Sequence, residues 1–415
     1  MTAMLFIKAL SWLFYFIVVA FWVIMFYYTI LGIFGIIYKV ETMEQEPNIP
    51  SYFPSVAVFI PAHNEEVVIF ETLDAMASLE YEGPMNIYLL NDNSTDRTGD
   101  IADFWANIFV NIHHVKVPPG EPKGKSRVLN YGRHISYEEV IAVYDADNRP
   151  NPDAVKLLVY KLMENEKYGG VAGYYRSYNM YKTILTTMIG LESLLYQLTM
   201  QSGRWKLLKL GSFPGTNMMI KRHVLDEIGG WDEYALAEDA EQSLALTARG
   251  YLIAIEPRSQ SWEQEPEKFS VWFRQRTRWM IGNLYLVQKT IATKEYRSGR
   301  NLWNAIQLIS VYYVFFTFVI LSDIWFVLGL LGIFSAGTHL PLLTLWFESW
   351  WIYATQLIVA AFLEGELTPK NIIIATIMYF TYAQAWLVIL ANAWIQQWKA
   401  RRKGHTIKWD KTPRF

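Results

Sequence analysis

Val140-Ile141-Ala142-Val143-Tyr144-Asp145-Ala146-Asp147-Asn148 is the stretch on which the fold turns. Its first part is apolar, β-branched and too short for a helix, so it reads as a strand buried on both faces. It then breaks into two acids separated by one alanine. The pattern recurs upstream, where Val56 to Ile60 runs into Pro61-Ala62-His63-Asn64-Glu65 and Asn86 to Leu90 runs into Asn91-Asp92-Asn93-Ser94-Thr95-Asp96. Further β-rich runs at Phe109 to Val117, Gly170 to Tyr174 and Leu252 to Ile255 alternate with helical segments between Ser55 and about Thr293. This alternation predicts an α/β, Rossmann-like domain with a largely parallel sheet and helices on both faces. In such sheets ligands bind outside the carboxyl ends of the strands, where the acid-bearing turns gather.

The flanks differ in kind. Ala9 to Tyr38 carries no charge and is long enough to cross a hydrocarbon core of about 30 Å as one tilted helix. It lacks the short apolar core and small-residue cleavage site of a secretory signal, so it reads as an uncleaved anchor. Glu41 to Pro54 is a polar, proline-containing linker. Apolar stretches return at Ala305 to Phe334, Leu340 to Leu363 and Ile372 to Trp398, followed by the basic tail Lys399 to Phe415. The expected organisation is an anchor at 1–40, a linker at 41–54, a catalytic domain at 55–265, amphipathic interfacial helices at 266–300, membrane helices at 301–398 and a tail at 399–415. Lys399, Arg401, Arg402 and Lys403 favour a cytosolic tail. An odd number of C-terminal spans would put that tail opposite the soluble domain. Either one apolar stretch is interfacial or re-entrant, or the first, with Asp323 midway, is split.

The 415 residues carry 37 basic and 39 acidic side chains, a net charge of -2 that asks for no nucleic acid. With no cysteine, disulfides, thiolate metal sites and cysteine nucleophiles are excluded. The 17 tryptophans suit membrane interfaces and sugar-binding grooves alike.

Asp145 and Asp147, on one strand-end turn, suit a hard cation such as Mg2+ or Mn2+ that would bridge them to a diphosphate. A solvated turn also produces this spacing by chance. Gly124-Lys125-Ser126-Arg127 opens a helix, so Lys125 and backbone donors face a phosphate or form a solvated basic turn. Gly120 to Ser126 looks like an ATPase phosphate loop, but it is one residue short between its glycines and interrupted by Pro122. Glu238 and Asp239 begin a helix capped by Gly250. They are either an ordinary acidic helix start or a general-base site, with Asp239 taking a proton from an acceptor hydroxyl. Phe269 to Gln288 has the spacing of an amphipathic helix on a membrane surface, with Gln275, Arg278 and Trp279 available to a sugar or diphosphate.

Read in order, these motifs resemble the processive family 2 glycosyltransferases, the cellulose, hyaluronan, chitin-oligosaccharide and poly-N-acetylglucosamine synthases. They are I-P-A-x-N-E, N-D-x-S-T-D, G-K-x-x-x-L-N-x-G at Gly124 to Gly132, D-x-D, G-T-N at Gly215 to Asn217, an E-D pair, and Q-x-x-R-W at Gln275 to Trp279. The resemblance covers Pro54 to Gly282. It implies a GT-A catalytic domain on the cytosolic side of a cell membrane, a UDP-sugar donor, a divalent cation and inverting displacement. It also implies export of a polysaccharide through the enzyme's own helices. By position, Pro61, Asn64, Glu65, Asp92, Lys125 and Arg278 would hold UDP, and Asp145 and Asp147 its diphosphate through the metal. Asp239, with Glu238 beside it, would be the base. Gly215, Thr216, Asn217, Gln275 and Trp279 would hold the acceptor.

The usual T-E-D is Ala237-Glu238-Asp239 here, and Asn91 and Asn93 stand where many relatives carry Asp and Gly. The tail resembles the W-x-K-T-x-R ending of poly-N-acetylglucosamine synthases, making Trp409, Lys411, Thr412 and Arg414 candidate gating residues and favouring an amino-sugar or glucose donor. Membrane lipid and an accessory membrane subunit are the other expected partners. Two rivals stand beside this reading. One is single-sugar transfer onto a polyprenyl phosphate or diacylglycerol, which needs neither a polymer groove nor a channel. The other is a transporter or receptor that only senses nucleotide.

Overall fold

A computed structural model describes residues 2–331, 342–403 and 413. The chain opens with helix α1 (Thr2–Glu44) and enters the sheet domain with β1 (Val56–Ala62), α2 (Ile69–Ala77), β2 (Met85–Asn91), α3 (Thr98–Ile108) and β3 (Ile112–Lys116). It continues through α4 (Lys125–Ile135), β4 (Val140–Val143), β5 (Arg149–Pro150), α5 (Ala154–Met163), β6 (Tyr168–Ser177), α6 (Ile184–Tyr196) and α7 (Arg204–Leu208). Then follow β7 (Met218–Lys221), α8 (Arg222–Glu227), α9 (Glu238–Ala248), β8 (Leu252–Glu263) and α10 (Phe269–Ala292). The last part is helical: α11 (Asn301–Ile309), α12 (Phe316–Leu330), α13 (Leu342–Leu363), α14 (Pro369–Met378) and α15 (Tyr382–Lys403).

The strands form an eight-stranded sheet in the order β3-β2-β1-β4-β7-β6-β8-β5. β3, β2, β1 and β4 are parallel, and their interior follows from composition: Val56 to Ile60 and Val140 to Val143 are fully buried, as strands covered on both faces must be. Each valine, isoleucine and phenylalanine among them contributes about 1.5–3 kcal/mol of burial. α2 meets the sheet through Ile69, Leu73 and Met76, one face of a 3.6-residue period.

The sheet is largely parallel, as expected, with β6 and β8 also parallel; the far half adds β7, which enters antiparallel between β4 and β6, and β5, which pairs antiparallel with β8. In the turn before β7, Gly215 (φ +92°) and Asn217 (φ +44°) both take left-handed backbone. Val143 pairs with Met218, so the residues following β4 lie beside those preceding β7. This places the G-T-N turn alongside the D-x-D turn.

Helix α1 packs on the π-helical turn Gln197–Gly203 at backbone contact. A Cβ on Gly35 would lie 2.0 Å from the Leu198 carbonyl oxygen, and one on Gly203 would lie 2.1 Å from that of Leu31. Small residues at such crossings are what let helix backbones meet. Among the described residues, Trp12–Glu44 and Asn301–Leu328 are long and apolar enough to cross a membrane. Pro369–Met378 and Tyr382–Ala400 would make a third such segment if counted as one, bent by 44°. α10 buries Trp272 fully against Tyr382 of α15, with the indole N–H donating to the tyrosine oxygen at 3.1 Å.

Candidate active site

The ends of β1, β2 and β4, the starts of α4 and α9, the turn before β7 and one face of α10 surround a cavity of about 510 Å³. Pro61, Glu65, Asp92, Lys125, Asp145, Asp147, Gly215, Thr216, Glu238, Asp239, Gln275, Arg278 and Trp279 all line it. Seven separate sequence motifs therefore converge on one space.

Asn64 and Asn217 do not line it, contrary to expectation. Asn64, at φ +56°, accepts the Thr95 N–H at 2.7 Å and donates its own N–H to Ser94 Oγ at 2.9 Å, tying two strand-end turns together. Asn217 is wholly buried and donates to the carbonyls of Tyr174 at 2.7 Å and Ser259 at 3.0 Å while accepting the Tyr144 hydroxyl at 2.9 Å. Both hold left-handed backbone, which asparagine tolerates better than most residues, and both build the walls. Trp409, Lys411, Thr412 and Arg414 lie outside the described residues.

Lys125, the first residue of α4, organises the acids. Its Nζ lies 2.6 Å from Asp145 Oδ1, 2.6 Å from the Gly215 carbonyl oxygen and 3.5 Å from Glu238 Oε1. Burial disfavours its charge, but Asp145 and Glu238 outweigh that and hold it above the ordinary lysine value. Thr216 Oγ1 accepts the Asp145 N–H at 3.2 Å, fixing the turn from the β7 side. Arg127, two residues further along α4, pairs with Asp92.

Asp239 is pushed up to about 7, first by burial and then by the neighbouring Glu238 charge; the Ala240 N–H, which it accepts at 2.8 Å, and Lys125 pull the other way. A carboxyl titrating there is matched to proton abstraction near neutral pH. Asp145 and Asp147 offer hard oxygens suited to Mg2+ or Mn2+, Asp145 with 36% of its side chain exposed and Asp147 accepting the Gln264 N–H at 3.1 Å. Among the described residues no cluster of three acids or histidines gathers for a metal. An ion here would therefore complete its shell with phosphate and water oxygens.

Two lining residues were not singled out from sequence. Arg276, inside Gln275-Arg276-Thr277-Arg278-Trp279, is 2% exposed, and its guanidinium carbon lies 3.9 Å from the Trp279 ring centroid. Glu192 of α6 accepts from Tyr382 at 2.7 Å, Trp386 at 3.0 Å and Arg276 at 3.4 Å. A signal for Glu192 existed: it is the single charged residue between Lys182 and Arg204.

Residues 54–282 match the family described as "Glycosyltransferase like family 2". The probable glycosyltransferase YdaM of Bacillus subtilis (strain 168) is 40% identical over 90% of this chain and 91% of its own. The beta-monoglucosyldiacylglycerol synthase of Nostoc sp. (strain PCC 7120 / SAG 25.82 / UTEX 2576) is 27% identical over 69% of this chain and 62% of its own. The poly-beta-1,6-N-acetyl-D-glucosamine synthase of Staphylococcus epidermidis (strain ATCC 35984 / DSM 28319 / BCRC 17069 / CCUG 31568 / BM 3577 / RP62A) is 25% identical over 86% of this chain and 87% of its own. Among solved structures, the mannosyltransferase PcManGT from Pyrobaculum calidifontis, in complex with GDP-Man and Mn2+, superposes with a TM-score of 0.57 at 18% identity over 88% of this chain and 98% of that one. The α/β fold is thus the GT-A-like glycosyltransferase fold. With acids, lysine and candidate base converging at its strand ends, the chain belongs to glycosyltransferase family 2 and is an enzyme that transfers sugar from a nucleotide-sugar donor.

Proposed function

We propose that the enzyme is processive and inverting, adding sugar from UDP-N-acetylglucosamine or UDP-glucose to a growing β-linked polysaccharide and passing the product across the cell membrane. The observation that carries this reading is the direction of the cavity. From the strand-end acids it runs past Asp239 and Trp279 to Glu192 and Trp386. Those two residues also line a second cavity of about 300 Å³ among the helices, so the acceptor side faces the helix bundle.

In this reading Pro61, Glu65, Asp92, Lys125 and Arg278 hold UDP, with Asn64 bracing the turns beneath it. Asp145 and Asp147 would hold Mg2+ or Mn2+, which when bound supplies positive charge to the diphosphate. Asp239 takes the acceptor hydroxyl proton as that oxygen approaches the anomeric carbon from the side opposite UDP, which inverts the centre. Glu238 keeps Lys125 close to this reaction space. Trp279 offers a flat apolar face to the acceptor sugar, with Gly215, Thr216 and Gln275 around it. The catalytic domain lies on the cytosolic side, and the basic tail returns there. Because the chain lacks cysteine, one placed at Thr412 reports its side by impermeant labelling, and labelling in intact cells refutes a cytosolic tail.

A second reading, single transfer to a lipid such as diacylglycerol, draws support from the apolar walls of the second cavity, where Phe14, Phe21, Trp22, Phe315 and Trp325 suit an acyl chain. One experiment separates the two. The purified protein in lipid vesicles is given a panel of UDP-sugars with Mg2+ or Mn2+, and both UDP release and product size are followed. Metal-dependent release with a glycosidase-sensitive, high-molecular-weight product supports the synthase; a small glycolipid alone overturns it.

A further inference from the structure

Glu192 is a carboxylate set among helices, and three donors from two other helices converge on it. Its side chain is part-buried, with 27% exposed, and withdrawing such a group from water costs free energy unless its hydrogen bonds are met. What the acid provides beyond packing is a fixed place for Arg276. That guanidinium is tethered through Nη2 at 3.4 Å, while its Nε and Nη1 are buried without a protein partner among the described residues. Arg276 in turn stacks 3.9 Å from the Trp279 ring centroid. Tyr382 and Trp386 hold the carboxylate from α15, so it cannot follow the arginine if the arginine shifts.

We infer that Glu192 is a positioning residue: it locks Arg276 so that Trp279 presents its face to the acceptor. This rests on the reading that the acceptor lies against Trp279. Glu192 also lies at the neck between the two cavities, so an acceptor passing from one to the other passes the residue that sets its platform.

The test uses the full chain in lipid vesicles with a short soluble oligosaccharide or diacylglycerol, whichever the wild type consumes. Acceptor KM, donor KM and acceptor-free UDP release are measured for Glu192→Gln, Glu192→Asp, Trp279→Ala and the Gln/Ala double variant. Glu192→Gln should raise acceptor KM about tenfold, a loss of about 1.4 kcal/mol. Donor KM and acceptor-free release should stay within about twofold of wild type. Glu192→Asp should recover part of the loss, and the double variant should match Trp279→Ala alone, because both changes act through one platform. Effects that multiply, or a donor KM that rises equally, overturn the inference. If Trp279→Ala raises acceptor KM and Glu192→Gln does not, this inference fails alone; if Trp279→Ala leaves acceptor KM unchanged, the acceptor reading fails with it. Tyr382→Phe and Trp386→Phe, which each remove one donor and keep the acid, should raise acceptor KM by a smaller factor, and no rise in either overturns the proposal where Glu192→Gln does not fold.

Discussion

The Lys125 ammonium and the Asp145 carboxylate are 2.6 Å apart, so the side chain that offers a metal its most accessible oxygen already holds a cation. A divalent ion entering alone must displace that lysine; one arriving with a diphosphate offers Lys125 a new anionic partner as it leaves Asp145. Lys125→Met should therefore strengthen Mn2+ binding in the absence of nucleotide, read by manganese EPR, while lowering kcat by about 10²-fold through lost diphosphate stabilisation. Unchanged Mn2+ affinity would show that the lysine does not compete for the site.

Asp239 carries the second prediction. With its carboxyl pushed up to about 7, kcat/KM, which reports the free enzyme, should climb as pH rises through that value and level off above it, since only the ionised form accepts a proton. Asp239→Asn should remove transfer and leave UDP binding intact. The linkage to stability has a definite sign. A folded-state value above the ordinary 3.8 means the fold favours the neutral acid, and stability is lost as pH rises between 3.8 and about 7. Near pH 8, Asp239→Asn should therefore raise Tm by about 2–4 °C. Below the ordinary carboxylate range that gain should vanish. A Tm gain independent of pH would mean that the ionised carboxylate is not what strains the fold.

Gly215 faces that same acid. A Cβ there would lie 3.1 Å from Asp239 Oδ2, and the backbone at φ +92° disfavours any side chain. Gly215→Ala should then misplace the base at a strain cost of about 1–2 kcal/mol, with kcat falling at least about tenfold and donor KM holding. Equal losses in donor binding and turnover would place Gly215 in the donor site instead.

How much of this was legible follows from what each motif encodes. The strand ends were plain because Val56 to Ile60 and Val140 to Val143 are uniformly apolar and stop at polar turns, a local signal. β7 was not, because Met218 to Lys221 makes a strand only through pairing with β4 and β6, and its four residues carry no alternation of their own. Asn64 and Asn217 sit in the right motifs, yet their side chains turn into the framework; motif membership does not encode which way a left-handed asparagine points. Glu192 needed three partners, at 276, 382 and 386, that the fold alone brings together. Its isolation in an apolar helix was a sufficient flag, since a lone acid there needs partners from elsewhere.

Glu364, just beyond α13, ties the apolar helices to the catalytic sheet. Its side chain is 4% exposed and pairs with Lys39 of α1 and Arg176 of β6, joining three parts of the chain far apart in sequence. Replacing two buried charges and their shared counter-ion by apolar groups is often close to neutral, whereas removing only the counter-ion strands two cations in a poorly hydrated place. Glu364→Gln should therefore cost about 3–5 kcal/mol and lower Tm in detergent by several degrees. The triple change Lys39→Met, Arg176→Met and Glu364→Met should recover much of that loss. If the cluster instead contributed net attraction, the triple variant would be as unstable as the single one, and the grip of α1 on the domain would be assigned to the Gly35 and Gly203 backbone contact alone. Turnover per folded molecule should be unchanged in either variant, because none of the three side chains lines the catalytic cavity.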